Sequence, residues 1–133
     1  ITAQGVHRKE LLTQTLKIGE GITGSVVASG RSEIIDRVAS DRRRVHLMGT
    51  PESDSEHETL MSSPLILRGK CIGAVNAWRL RINGVFSQVE LSFLTSIANQ
   101  ISVAIESSNL FKETIRRAQE SAAIAEVEGR AAT

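Results

Sequence analysis

Two uncharged stretches, Leu60 to Leu67 and Cys71 to Trp78, flank a short polar turn at Arg68, Gly69 and Lys70. A strand with one wet face alternates apolar with charged residues. These stretches carry no charge in either register of the period-two pattern, which predicts a hairpin covered on both faces. The two candidate covers differ in kind. A long helical pattern from about Gln88 onward can pack on one face, and the polar, irregular Ser40 to Glu58 segment can lie over the other. A helix makes a packed core, whereas a long loop over a sheet tends to enclose a cavity for a small ligand.

The helical pattern has a defined start. Ser87 followed by Glu90 forms a capping box, in which the serine oxygen accepts from the third helical residue's backbone and the glutamate returns a bond. Beyond it, Leu94, Ile97, Ile101, Ala104, Ser108, Phe111, Ile115, Ala118, Ala122 and Ala125 follow at three- and four-residue steps, a heptad seam. Leu91, Val103 and Ile105 broaden the apolar surface of the early turns, which can pack on the sheet and still present a second face. From about Asn109 only a narrow alanine-rich stripe continues, as expected of a helix that leaves its domain and pairs with a copy of itself. Helical to Gly129, it would run roughly 60 Å, too long for so small a domain to cover. The residues expected at the dimer seam are therefore Leu94, Ile97, Ile101, Ala104, Ser108, Phe111 and Ile115.

Upstream, Ile1 to Val6 reads as a strand, His7 to Glu10 as a polar helix-compatible turn, and Leu11 to Ile18 as a second strand. Gly19 to Gly24 is a turn feeding a short helix at about Thr23 to Ser29, which Gly30 can end in the left-handed conformation. Glu33 to Asp36 predicts a short strand. Between Val38 and Glu58 the clear signals are breakers and charges. Arg42, Arg43 and Arg44 form a basic cluster; Glu52, Asp54, Glu56 and Glu58 form an acidic one. Pairing between the two is the plain expectation.

With these elements placed, the chain resembles the GAF domain family, the small-molecule sensing module of histidine kinases, cyclic-nucleotide enzymes, phytochromes and transcription regulators. The resemblance rests on LKIGEGITGSVVASGRSEII (Leu16 to Ile35), Asp36 to Arg42, SSPLILRGKCIGAVNAWR (Ser62 to Arg79) and FSQVELSFLTSIANQISVAIES (Phe86 to Ser107). It implies an α+β fold: a central antiparallel sheet with helices on one face, a ligand pocket beneath loops and short helices on the other, and a long C-terminal helix. Residues 1–108 would form the GAF domain without the family's usual first helix and first strand, and residues 109–133 a signalling or coiled-coil extension. The pocket residues it suggests, together with elimination, are Ile35, Val38, Arg42, Val45, Met48, Met61, Ser63 and Asn76. The implied function is a sensory and dimerisation module of a signalling or transcription-regulatory protein. The alternative is a degenerate member with a filled pocket that serves only to dimerise its parent.

Composition narrows the chemistry. At 133 residues the chain is long enough for one domain with a real core. A formal charge of +1 gives no global field to favour nucleic acid or a membrane surface. The single cysteine, Cys71, excludes an intrachain disulfide and a multi-cysteine zinc site. No stretch approaches the roughly 20 apolar residues of a bilayer span, and the first residues resemble no secretory signal, so the expectation is a cytoplasmic piece of a longer protein. With aromatics at 3%, stacking groups for a flat cofactor are scarce, which favours the structural alternative.

No cofactor is assigned. Cyclic-nucleotide-binding relatives resemble one another in an asparagine-lysine pair, a later phenylalanine and an acidic pair. Asn76 and Phe86 fit, but Ala77 replaces the lysine, and Glu90 with Leu91 replaces the acidic pair. The bilin-binding branch attaches its pigment to a cysteine next to a histidine, and Cys71 lies between Lys70 and Ile72, so a bilin has no attachment point. Haem through one histidine, His46 or His57, stays open as a minor alternative. His7, His46 and His57 lack metal-ligand spacing, so no metal site is expected. Ser62 and Ser63 precede Pro64 without a nucleophile elbow, and a methionine sulfoxide reductase of this family would need a resolving thiol besides Cys71. The expectation is a protein without catalytic activity. Arg37 and Arg42 to Arg44 could hold a ligand's phosphate or carboxylate, against the plainer reading of a solvated loop.

Overall fold

A computed structural model describes residues 17–45 and 56–132. The expected strand at Ile1 to Val6, all but the last two residues of the one at Leu11 to Ile18, and the residues His7, His46 and Met48 lie outside them; Lys17 and Ile18 are described and are not in a strand. The order of elements is α1 (Gly21–Ser29), β1 (Glu33–Ile35), a 3₁₀ turn (Val38–Ser40), β2 (Glu58–Leu67), β3 (Lys70–Leu80), a second 3₁₀ turn (Arg81–Asn83) and α2 (Gln88–Ala132). The three strands form an antiparallel sheet in the order β1-β2-β3. This is the α+β architecture expected, with a long helix closing the chain.

The β2-β3 turn is made by Arg68 and Gly69, both left-handed at φ 52° and 77°, the geometry that matches the twist of a two-residue hairpin. Glycine adopts it freely; Arg68 is strained. One irregularity follows. Leu67 pairs with Lys70 and Ile66 with Cys71, but Leu65 pairs with Gly73, so Ile72 is a β-bulge.

Central β2 is buried on both faces from Thr59 to Pro64, as the uncharged run predicts. β3 departs from that expectation: Ile72, Trp78 and Leu80 are each more than 40% exposed. The reason is position. β2 lies between two strands and beneath two covers, whereas β3 has β2 as its one partner among the described residues.

The two faces have separate cores. On one, Ile35 and Leu60 pack with Ile22 of α1 and Val38 of the first 3₁₀ turn. On the other, Met61 packs with Phe86, Leu91 and Leu94, flanked by Ile34, Val75 and Ala77. Helix α1 stops where Gly30 turns left-handed and its N–H bonds the Val26 carbonyl. Helix α2 starts at the expected box: the Ser87 N–H donates to Glu90 Oε1 at 3.0 Å, and the Glu90 N–H to Ser87 Oγ at 3.2 Å. Phe86 before the cap packs in one cluster with Leu91 four positions into the helix, a hydrophobic staple.

Candidate functional site

The face of the sheet under α1 is the candidate ligand surface, and period-two alternation decides which side chains reach it. Glu33 and Ile35 of β1 share it with their partners Ser62 and Leu60, and these with Asn76 and Trp78 of β3. Of the expected pocket residues, Ile35, Val38 and Asn76 come to this face. Met61 and Ser63 do not. Met61 sits in the core beneath α2. Ser63 is fully buried in a triangle of hydroxyls, its Oγ 2.9 Å from Ser32 Oγ and 3.3 Å from Thr95 Oγ1 of α2. Arg42 and Val45 are exposed. Trp78 is at the sheet rim.

The residue that sequence reasoning missed is Ser62. It is fully buried, and its Oγ has no hydrogen-bond partner; neither has Oδ1 of Asn76, its cross-strand partner. Asn76 Nδ2 donates to Thr23 Oγ1 of α1 at 3.0 Å. A donor and an acceptor thus lie side by side under α1 with hydrogen-bonding capacity unused, which is uncommon for buried groups.

Arginine at the edge of this face is already engaged. Arg43 Nε and Nη2 donate to Asp41 Oδ1 and Oδ2 at 3.0 and 2.9 Å, while Nη1 reaches Glu33 Oε2 at 2.8 Å and Ser25 Oγ of α1 at 3.2 Å. These bonds hold the Asp41 carboxyl below the usual range, against the opposing effect of its burial, and raise the Arg43 guanidinium further. Arg43 therefore pairs with Asp41 and Glu33. It ties β1, α1 and the turn together.

The open depressions among the described residues include two at the sheet's ends. One of about 490 Å³ lies at the Leu80 end of the sheet, lined by His57, Leu80, Arg81 and Ile82. The other, about 350 Å³, lies between the hairpin tip and α2, beside Arg68 and Glu106. Neither is beneath α1. No group of three His, Cys, Asp or Glu side chains among the described residues is placed to hold a metal ion. Nor is any described helix long and apolar enough to cross a membrane.

The seam positions on α2 also separate. Leu94 is buried in the sheet core and is not available to a second chain, because the sheet-facing stripe runs through Leu91, Leu94, Ala98 and Ser102. Ile101 borders that stripe, half-buried. Ile97, Ala104, Ser108, Phe111 and Ile115 are exposed, joined by Phe93 at 69%.

A three-stranded antiparallel sheet between a short helix and a long C-terminal one makes this a small α+β domain. The GAF domain family model matches residues 3–106, and the chain belongs to that family. It is similar to the GAF domain of a phosphoenolpyruvate-protein phosphotransferase from Coxiella burnetii, with 21% identity and a TM-score of 0.68, covering 83% of this chain and 64% of that one. It is also similar in fold to the free methionine-R-sulfoxide reductase of Neisseria meningitidis, solved with its substrate, at 20% identity and a TM-score of 0.59 over 71% of this chain and 53% of that one. In sequence it is 23% identical over 122 residues to the Nif-specific regulatory protein of Azospirillum lipoferum, which covers 90% of this chain; the chain spans 20% of that protein's length.

Proposed function

We propose that this GAF domain is the sensory and dimerisation module of a signalling or transcription-regulatory protein. It would bind a small effector over the α1 face of the sheet and pass the result along α2. The observation that carries the reading is the division of α2 into two apolar surfaces. One stripe packs on the sheet, and Phe93, Ile97, Phe111 and Ile115 form another whose side chains remain exposed. The likeness to a Nif-specific regulatory protein supports a regulatory parent. The unpartnered Ser62 Oγ and Asn76 Oδ1 supply polar groups that could orient an effector. An effector would act by preferring one packing of α2 over another, and by no more than its differential affinity.

Catalysis is not part of the proposal. A thiol-dependent reduction needs a second thiol to resolve the first, and the sequence has Cys71 alone. The hydroxyls of Ser32, Ser63 and Thr95 bond one another and Thr95 also bonds the Leu91 carbonyl, with no base in the triangle.

The second reading, a purely structural dimerisation module, is favoured by the direct packing of Ile22 and Val38 on Ile35 and Leu60, which fills the centre of the α1 face. Hydrogen exchange with a broad metabolite panel separates the two. Slowing at α1 and the β2-β3 hairpin with some compound supports the sensor, and unchanged exchange with all of them supports the structural module.

A further inference from the structure

The depression of about 350 Å³ between the hairpin tip and α2 has two walls of opposite charge, and none of its lining residues belongs to α1. Arg68 and Lys70 stand on the hairpin wall. Glu106 and Glu113 stand on the helix wall, so the four formal charges cancel. Leu67 of the first wall and Leu110 of the second add apolar surface, and Leu110 is 46% exposed. The helix side of this arrangement follows from spacing: Glu106, Leu110 and Glu113 fall at steps of four and three, hence on one face. At about 100° per residue, Phe111 and Ile115 point elsewhere, so a molecule in the depression leaves the exposed apolar stripe of α2 open.

The charged groups keep unused capacity. Arg68 Nε donates to Glu106 Oε1 at 2.9 Å, which leaves the two terminal nitrogens of the guanidinium and Glu106 Oε2 without a protein partner among the described residues. Glu113 accepts Arg117 Nη2 on Oε1 at 2.7 Å, and its second oxygen is likewise open. Lys70 has no ion pair among the described residues. The fold gains little from such exposed charges.

We propose that this depression binds a free α-amino acid with an apolar side chain. An anion alone would meet Glu106 and Glu113, and a cation alone would meet Arg68 and Lys70; a zwitterion satisfies both walls at once. In an α-amino acid one carbon separates the ammonium from the carboxylate, so the charges that recognise it must be neighbours. Arg68 and Glu106 are in contact. The ligand carboxylate accepts from the terminal nitrogens of Arg68, which match its two oxygens, and from Lys70 Nζ. The ammonium donates to the open oxygens of Glu106 and Glu113, and the side chain lies on Leu67 and Leu110. The Arg68–Glu106 bond stays intact, because the ligand uses the other atoms of both groups, and neither hairpin nor helix has to move. The volume is in the range of small-molecule sites. The site stands apart from the effector surface under α1 and does not depend on that reading.

The test is a nuclear magnetic resonance titration of the isotope-labelled whole chain. L-leucine and L-phenylalanine should give saturable shifts, with millimolar affinity, at the backbone amides of Arg68, Lys70, Glu106 and Leu110. Isocaproate, which is L-leucine without its ammonium, and isoamylamine, which is L-leucine without its carboxylate, should each bind about tenfold more weakly, the loss of one charge-assisted contact. Glu106→Gln should narrow the preference for L-leucine over isocaproate, and Arg68→Gln its preference over isoamylamine, a split that a merely structural role of the pair would not produce. No saturable shift at the hairpin tip from either amino acid, at concentrations that fill a millimolar site, overturns the proposal. Isocaproate or isoamylamine binding as tightly as L-leucine also overturns it and makes the depression a simple ion site. Saturable shifts confined to α1 and β1 would overturn this site while supporting the effector surface, so the two readings fail separately.

Discussion

Ser62 and Asn76 face each other across β2 and β3, and each carries a buried oxygen without a hydrogen-bond partner. Removing an unpartnered hydroxyl forfeits no bond, so Ser62→Ala should leave stability within about 1 kcal/mol of the parent or raise it. Asn76→Ala deletes the bond to Thr23 and should cost about 1 to 2 kcal/mol more. Urea unfolding of both variants measures this. A loss beyond about 1 kcal/mol in Ser62→Ala would show that the hydroxyl is bonded in the folded protein.

The same pair marks where the sequence stopped being legible. The hairpin, its turn, the short helix ending at Gly30 and the capping box at Ser87 follow from local chemistry, and each is where the pattern puts it. The side each strand residue faces does not follow so simply. In a bulge-free hairpin joined at Leu67 and Lys70, Asn76 would oppose Met61 and share a face with Met61 and Ser63. The extra residue Ile72 shifts the register by one, so Asn76 opposes Ser62 and lies on the other face. Nothing in the run Cys71 to Trp78 announces a bulge except Gly73, which also fits a regular strand. Leu94 is a related case: heptad spacing places it on the seam, but the sheet takes it into the core. Periodicity finds apolar stripes and does not say which partner covers each.

Asp41 should contribute to acid sensitivity in a defined window. Its carboxyl is held below the usual carboxylate range, chiefly by the Arg43 side-chain bonds. A depressed native value means that the contribution is complete above the unfolded value and is lost as pH falls through the lower, native one. Asp41→Asn should therefore be less stable than the parent at neutral pH, by an amount that stays constant down to about pH 5 and shrinks below about 4. Urea unfolding of both proteins from pH 7 to pH 2.5 reads the difference. A gap that persists undiminished at the acid end would assign the role of Asp41 to packing.

Cys71 is half-buried, and its Sγ lies 3.4 Å from the Gly73 carbonyl, a weak bond within the bulge. Cys71→Ala should cost no more than about 1 kcal/mol and leave effector-dependent hydrogen exchange unchanged. If the variant abolished a protection seen in the parent, the thiol would belong to the ligand site.

The dimer is tested by setting the two faces of α2 against each other. Phe111 and Ile115 are exposed beyond the sheet, so a charge at these positions meets water in the monomer and should change its unfolding free energy by only about 0.5 kcal/mol. In a helix pair the same charge would be buried without a partner. Phe111→Glu and Ile115→Glu should therefore sediment as folded monomers at concentrations where the parent is a dimer. Leu94→Ala is the converse, because Leu94 is 5% exposed in the core with Met61, Phe86 and Leu91. It should cost about 2 to 5 kcal/mol in stability while keeping whatever association the folded protein has. Sedimentation of the parent as a monomer at every concentration would remove the dimer from the proposed function. Dissociation by Leu94→Ala under conditions where it remains folded, with no effect of Phe111→Glu, would place the interface on the sheet side of the helix instead.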